Sequence, residues 1–356
     1  MKPYLILIIV VLVTALAWLG SDAQVQTAAP VSSHAGAAAP AIQPLPGTAT
    51  VPVDQALQPA LQQVSRLYRQ QNRWPDYSIP LAAHQQELLQ PNQAAAMHYS
   101  LQPLGLDASL TLQLDRYRYR YGALAAARVQ LQAGDSLVGQ IRRLQLQVSD
   151  RRQQVLTTLT SEPLGNNQWQ WRSEFEVAEQ WPAELQLDAR LQFADGQQLS
   201  YSVPFTAFLA VAEIHGIAAT HITDNQLQIT LNIRDAEPGY YKLGAALLDQ
   251  RQQPLAYLQG KGKIGRRGEL LLKVHGSLLA GLNGRQDLIL SALQLRRIPA
   301  KPGDGQQIGW GVSRESQYTI SDIDPARFSD TPFQNAGVNA RADFLENLSQ
   351  TTQAQY

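Results

Sequence analysis

The 356-residue chain has no cysteine. That excludes disulfides, thiolate zinc sites, a cysteine nucleophile and acylation at a lipoprotein cysteine. Charge is also scarce: Asp, Glu, Lys and Arg make up 16% of residues, and 29 Lys+Arg balance 29 Asp+Glu to leave a net charge of +0. Without a whole-molecule field, nothing draws in nucleic acid or an anionic membrane. The sequence also lacks a Gly-x-Ser-x-Gly elbow, a His-Glu-x-x-His pair and a Walker loop, so the local signatures of hydrolases, zinc proteases and P-loop enzymes are missing. What it does have is a 44% hydrophobic fraction, enough for most of the chain to bury a core.

One long apolar run exists, at residues 4–20, interrupted only by Thr14 and preceded by Lys2. Followed by Ser21-Asp22-Ala23, it has the layout of a secretory signal, with cleavage expected after Ala23. The other reading is an uncleaved anchor, the only route by which this chain would contact a membrane. At about 1.5 Å per residue, such a helix reaches roughly 25 Å, just short of a hydrocarbon core. Both readings place the remainder in the periplasm, the cell envelope or the medium. Residues 24–53 are dominated by Ala, Pro, Thr, Ser and Gln, a composition that predicts a disordered linker.

In residues 54–94, Leu57, Ala60, Leu61, Val64, Leu67 and Tyr68 recur at helical spacing. This predicts an amphipathic helix over 55–71 that packs on the first domain, or else docks a partner. Trp74-Pro75-Asp76-Tyr77-Ser78-Ile79-Pro80 then predicts a proline-punctuated strap whose aromatics plug one end of a sandwich.

From residue 95 onward the apolar period falls to two. Alternating runs at 110–114, 126–131, 144–148, 155–159, 169–177, 185–191 and 201–205 are separated by turn formers such as Ser149-Asp150 and Asp195-Gly196. Seven such strands predict a first antiparallel sandwich over 95–209. Within it, Asp115 to Gly122 shifts which parity carries the large groups, the mark of a bulge or of a strand crossing between sheets. Runs at 227–233, 241–247, 255–258, 270–274 and 288–295 predict a second sandwich over 210–298. A C-terminal strap and short tail occupy 299–356, with a short helix over 339–349. Gly260 to Gly268, which carries Lys261, Lys263, Arg266 and Arg267, reads as a mobile hairpin loop.

The stretch Asp115-Arg116-Tyr117 through Tyr121-Gly122 resembles the opening strand of macroglobulin-like and related immunoglobulin-like bacterial domains. It has Tyr121 and Ala123 where that pattern flanks the glycine with a proline and an acid. The runs Tyr240 to Leu258 and Gly268 to Leu295 resemble the C-terminal immunoglobulin-like module of an uncharacterised family of exported Gram-negative proteins. The resemblance implies tandem immunoglobulin-like sandwiches and no established activity. It does not imply macroglobulin thioester chemistry, which needs a cysteine.

The candidate ligand-binding residues are Trp74, Tyr77, Arg116, Arg118, Arg120 and Trp310. Alternation places the three arginines on one face and Tyr117, Tyr119 and Tyr121 on the other. That basic row, which Arg142, Arg143, Arg151 and Arg152 would extend, suits an acidic glycan or a lipid head group; equally, it suits a solvated face that discourages edge pairing. Trp169 and Trp171 share parity with Phe175 and Val177 and read as core-facing, with a carbohydrate platform as the other reading. Glu213, His215 and His221, with Asp224 nearby, would approach metal spacing only on an unbroken strand, which Gly216 and Asp224-Asn225 argue against. No cofactor, metal or catalytic residue is expected. The leading expectation is therefore a non-catalytic exported protein that binds another envelope protein or assembles a surface structure. The alternatives are a polysaccharide-binding module that uses tryptophans on a surface glycan, and a hydrolase built from dispersed acids.

Overall fold

The computed structural model describes residues 58–102, 107–133, 141–160, 162–163, 170–299 and 308–350. The expected leader at 1–23, the linker at 24–53 and Trp169 lie outside the described residues. In chain order, α1 (Gln58–Gln71), β1 (Ser78–Pro80), α2 (Gln86–Leu89) and β2 (Met97–Ser100) come first. They are followed by β3 (Ala108–Leu114), β4 (Arg118–Arg120), β5 (Leu124–Ala133), β6 (Ile141–Asp150), β7 (Val155–Leu159), β8 (Glu162–Pro163), β9 (Gln170–Glu176), β10 (Glu184–Phe193) and β11 (Gln198–Phe208). The second half comprises β12 (Glu213–Thr223), β13 (Gln226–Arg234), β14 (Gly239–Leu248), β15 (Pro254–Ile264), β16 (Gly268–His275), β17 (Gln286–Ile298), β18 (Gly309–Trp310), β19 (Val312–Ser313), β20 (Gln317–Ile323) and α3 (Ala336–Gln350).

These strands form two immunoglobulin-like sandwiches. The first faces β2-β3-β5-β9-β8 against β4-β11-β10-β6-β7, and the second faces β16-β13-β12-β19 against β1-β15-β14-β17-β18, with β20 also on β17. The pairing is antiparallel except at two short additions, β4 on β11 and β12 on β19. Seven strands in each sandwich repeat one order: the first, second and fifth in one sheet, and the fourth, third, sixth and seventh in the other. A sequence echo marks the repeat. Asp150-Arg151-Arg152-Gln153-Gln154 and Asp249-Gln250-Arg251-Gln252-Gln253 each join the third strand to the fourth. In both, the aspartate accepts two backbone N–H groups at 2.8 Å, and a glutamine takes positive φ, 62° at Gln153 and 61° at Gln252.

Alternation explains each core. Leu110, Leu112 and Leu114 on β3 point inward, as do Leu227, Ile229, Leu231 and Ile233 on β13, all fully or almost fully buried. Each contributes about 1.5–3 kcal/mol of transfer free energy. Where the parity changes, the chain leaves β3, crosses to the opposite sheet as β4 beside β11, and returns as β5. Of the three tyrosines there, Tyr119 alone is fully buried, while Tyr117 is exposed. The expected two-faced row is thus only three residues long. The backbone outside Arg118–Arg120 is bent rather than extended, so alternation does not carry through.

Asp188, opposite in parity to the core-facing Leu187 and Ala189, is a buried acid on the outer face of its sheet. It is buried on β10, accepting from the Ser149 hydroxyl at 2.6 Å and the Ser202 hydroxyl at 2.5 Å. Asp188→Ala, which leaves the buried Ser149 hydroxyl without its acceptor, lowers stability by about 1–3 kcal/mol. Urea denaturation should show that loss, with Asp188→Asn retaining part of it.

The N-terminal segment belongs to the second sandwich. β1 pairs with β15, matching Ser78 to Leu258, and Leu81, Leu88 and Leu89 cover the outer face of β14 at Ala246 and Leu248. Helix α1 pairs with α3 instead of the first sandwich. Ser65 donates to the Ala342 carbonyl at 3.0 Å, and Arg69 reaches Asp343 and Glu346 at 2.6 and 2.7 Å. Small residues allow this approach: Ser65 and Ala342 are buried, while Val64 and Leu67, expected on the packed face, stay half-exposed. At the C-terminal side, β20 adds to β17 from Gln286 to Ser291, so the second sandwich takes in strand residues beyond 298.

Candidate functional site

Four of the six candidate residues fall into two groups. Trp74 and Tyr77 lie with the C-terminal segment at one end of the second sandwich. There the Tyr77 ring meets Phe333 edge-on at 6.3 Å, Phe333 meets His275 in the same way at 5.9 Å, and Arg73 pairs with Asp330 at 2.6 Å. Burial raises the Tyr77 phenol above its ordinary range, partly opposed by a hydrogen bond with Gln226, and burial lowers the His275 imidazole. Trp74 lies beneath Arg73, 5.7 Å from guanidinium to ring. Its indole N–H is buried with no protein acceptor among the described residues.

The second group forms the joint between the sandwiches. Asn92, in the strap that leads into the first sandwich, holds Arg118 like an added strand: its Oδ1 accepts from the Arg118 N–H and its Nδ2 donates to the Arg118 carbonyl, both at 2.8 Å. So positioned, the Arg118 guanidinium lies 3.8 Å from the centre of the Trp310 ring, and Arg296 approaches the same ring at 5.9 Å. Burial lowers the Arg118 pKa; Tyr117 opposes the shift and the like charge of Arg296 adds to it. Trp310 is itself fixed, because β18 pairs with β17 and its carbonyl accepts from Val211 at 2.9 Å. The chain returning from the first sandwich at Val211 is further clamped by the Tyr241 hydroxyl, whose single proton is shared between the Val211 and Glu237 carbonyls at 3.1 and 2.7 Å.

Arg116 and Arg120 do not join this contact. Arg116 is exposed and turned toward Asp115 at 3.5 Å, and Arg120 is exposed on β4. The joint opens into a cleft of about 790 Å³ lined by Asp150, Arg151, Arg152, Glu184, Phe208 and Trp310, among others. Ile308, which also lines it, is 49% exposed, and Leu209, next to Phe208 in the chain, is 71% exposed. Its two acids are engaged: Asp150 holds its hairpin turn, and Glu184 pairs with Arg151.

The remaining candidates are placed as follows. Trp171 is half-buried against the first core. His215 falls in a bulge of β12, between Glu213 at 3.9 Å and Arg314 at 3.4 Å. Asp224 and Asn225, with φ of 47° and 57°, form the two-residue turn between β12 and β13, for which positive φ is required. Lys261 and Lys263, expected in a mobile loop, belong to β15, which pairs with β14 as far as Ile264. Among the described residues, no helix is long and apolar enough to cross a membrane.

Sequence reasoning missed Arg296, Lys242 and Tyr257. Arg296 and Lys242 are direct cross-strand partners, and that register shows only once the strands are paired.

No protein-family profile matches the chain, and no curated protein matches it. Solved structures similar to it include a DUF4785 family protein from Legionella pneumophila, with a TM-score of 0.40 and 15% identity over 53% of each chain. A Salmonella alpha-2-macroglobulin gives a TM-score of 0.29 and 14% identity over 69% of this chain and 16% of that one. Alpha-2-macroglobulin from Escherichia coli gives 0.21 and 11% over 65% and 16%. The chain thus spans about half the length of the first of these and about a sixth of the other two.

Proposed function

We propose that this chain is an exported, non-catalytic protein of the cell envelope that binds another protein through the joint between its two sandwiches. The observation that carries the reading is the composition of the cleft. Trp310, Phe208, Ile308, Arg151 and Arg152 line it, and the exposed Leu209 follows Phe208 in the chain. Aromatic and arginine anchors beside exposed apolar groups, within a polar rim, are what protein interfaces concentrate. Clamping of Trp310 and of the linker at Val211 pre-forms the surface, which lowers the ordering cost of association. The engagement of Asp150 and Glu184 supports binding over hydrolysis. Export rests on the apolar run at 4–20 and the small residues that follow it.

A photo-crosslinking amino acid placed at Leu209 or at Ile308 in intact cells should capture the same adduct. The adduct should disappear in the Arg151→Glu/Arg152→Glu variant and be absent from the exposed position Leu271 on β16, and fractionation of the same cells should recover the chain outside the cytoplasm. Equal capture from Leu271, no adduct from the joint, or a cytoplasmic chain would refute the proposal.

A further inference from the structure

The outer face of the larger sheet in the second sandwich carries three cations in a row. Lys242 on β14 stands directly opposite Lys261 on β15 and, on its other side, directly opposite Arg296 on β17. Directly opposed like charges destabilise a sheet. Charges that guard a sheet edge do not account for the row, because β14 is an interior strand with partners on both sides. Among the described residues, none of the three forms an ion pair.

The row borders a cavity of about 230 Å³ whose lining also includes Gly244, Gly260, Tyr77, Tyr257 and Asp76. The glycine at 244 makes room for the tyrosine: a Cβ there would fall 2.2 Å from the Tyr257 hydroxyl. Burial raises the Tyr257 phenol above its ordinary range, partly opposed by Arg296, so at neutral pH it remains a neutral O–H donor. Asp76 is the one acid in the lining. Three cations against one acid leave an uncompensated double positive charge. The cavity is smaller than the roughly 300–1,000 Å³ of drug-sized sites, which suits a compact head group.

We infer that this cavity binds a doubly charged oxyanion, a phosphate monoester, with Lys242, Lys261 and Arg296 as counter-charges and the Tyr257 hydroxyl as a hydrogen-bond donor. The site lies on the sheet face and shares Arg296 with the joint, where that side chain also approaches Trp310, whereas Lys242, Lys261 and Tyr257 line this cavity and not the joint cleft. The ester reaches it either as a soluble sugar phosphate or as a lipid head group, and the test separates the two.

The full-length chain is titrated at constant ionic strength with glucose 6-phosphate, with glucose, and with vesicles of phosphatidic acid or phosphatidylcholine, following the thermal midpoint and vesicle co-sedimentation. A saturable rise in midpoint with glucose 6-phosphate but not glucose supports the site with a soluble ester. Sedimentation with phosphatidic acid but not phosphatidylcholine supports it with a lipid ester. In either case Lys242→Gln/Lys261→Gln weakens binding at least about tenfold, the scale of losing charge-assisted contacts, and Lys242→Gln alone raises the midpoint of the ligand-free protein. Arg266→Gln/Arg267→Gln, which removes basic groups outside the cavity lining, leaves binding unchanged. No response to any charged probe, or equal binding by the double variant with its circular dichroism intact, overturns the inference.

Discussion

Replacing Tyr119 with alanine is expected to lower the stability of the first sandwich by about 3–5 kcal/mol, the range for removing a large aromatic from a packed core. The ring is 1% exposed and meets Phe205 edge-on at 5.7 Å. Its hydroxyl donates to Asp115 Oδ1 at 2.6 Å and accepts from the Arg116 N–H at 3.0 Å, and the same Asp115 oxygen accepts from the Ala126 N–H at 2.8 Å. Tyr119→Phe keeps the ring and removes only these bonds, a loss of about 1–3 kcal/mol. The phenol also sets a pH dependence. Burial, reinforced by the hydrogen bond to Asp115, holds its pKa well above the ordinary tyrosine range. The folded state therefore retains a proton that the unfolded chain releases near pH 10. The contribution is complete below that pH and declines as pH rises above it. Urea titrations at pH 8 and pH 10.5 should show a smaller decline for Tyr119→Phe than for the parent, and equal declines would remove the phenol from the account.

Leu231→Ala is expected to cost the second sandwich about 2–5 kcal/mol, because Leu231 is fully buried on β13, the strand between β12 and β16. The two sandwiches have separate cores: the cluster around Leu231 includes no residue of the cluster around Tyr119. Hydrogen exchange should thus accelerate in peptides covering 213–323 and stay near parental rates in those covering 108–208. Uniform acceleration would mean that the contact between Arg118 and Trp310 joins the two into one cooperative unit.

The sandwiches were legible where side-chain rhythm is local. Leucines at every second position on β3 and β13 announce their inward faces, and the change of parity near Tyr119 announces the crossing between sheets. β12 was harder to read because its register shifts twice, between Ile214 and Gly216 and between Ile217 and Ala219, which breaks the period on which the reading depends. β1 offers only Ser-Ile-Pro, too short to show any period. Of the candidate residues, Arg118 and Trp310 were named separately, but no pattern along the chain shows that one would lie on the other. The cation row was invisible for the same reason: Lys242, Lys261 and Arg296 become neighbours through strand pairing, and each alone looks like an ordinary solvated side chain.

The pairing of Ser78 with Leu258 sets a timetable for synthesis. The partner of β1 emerges about 180 residues after it, which at about 5–20 residues per second is a wait of roughly 10–35 s. All strands of the first sandwich are made within that interval, so that domain can close while the segment bearing Trp74, Tyr77 and Leu81 waits with nowhere of its own to dock. During the delay the segment can also reach the β15 of another copy, and exchange between molecules is the hazard built into threading one domain through the middle of another.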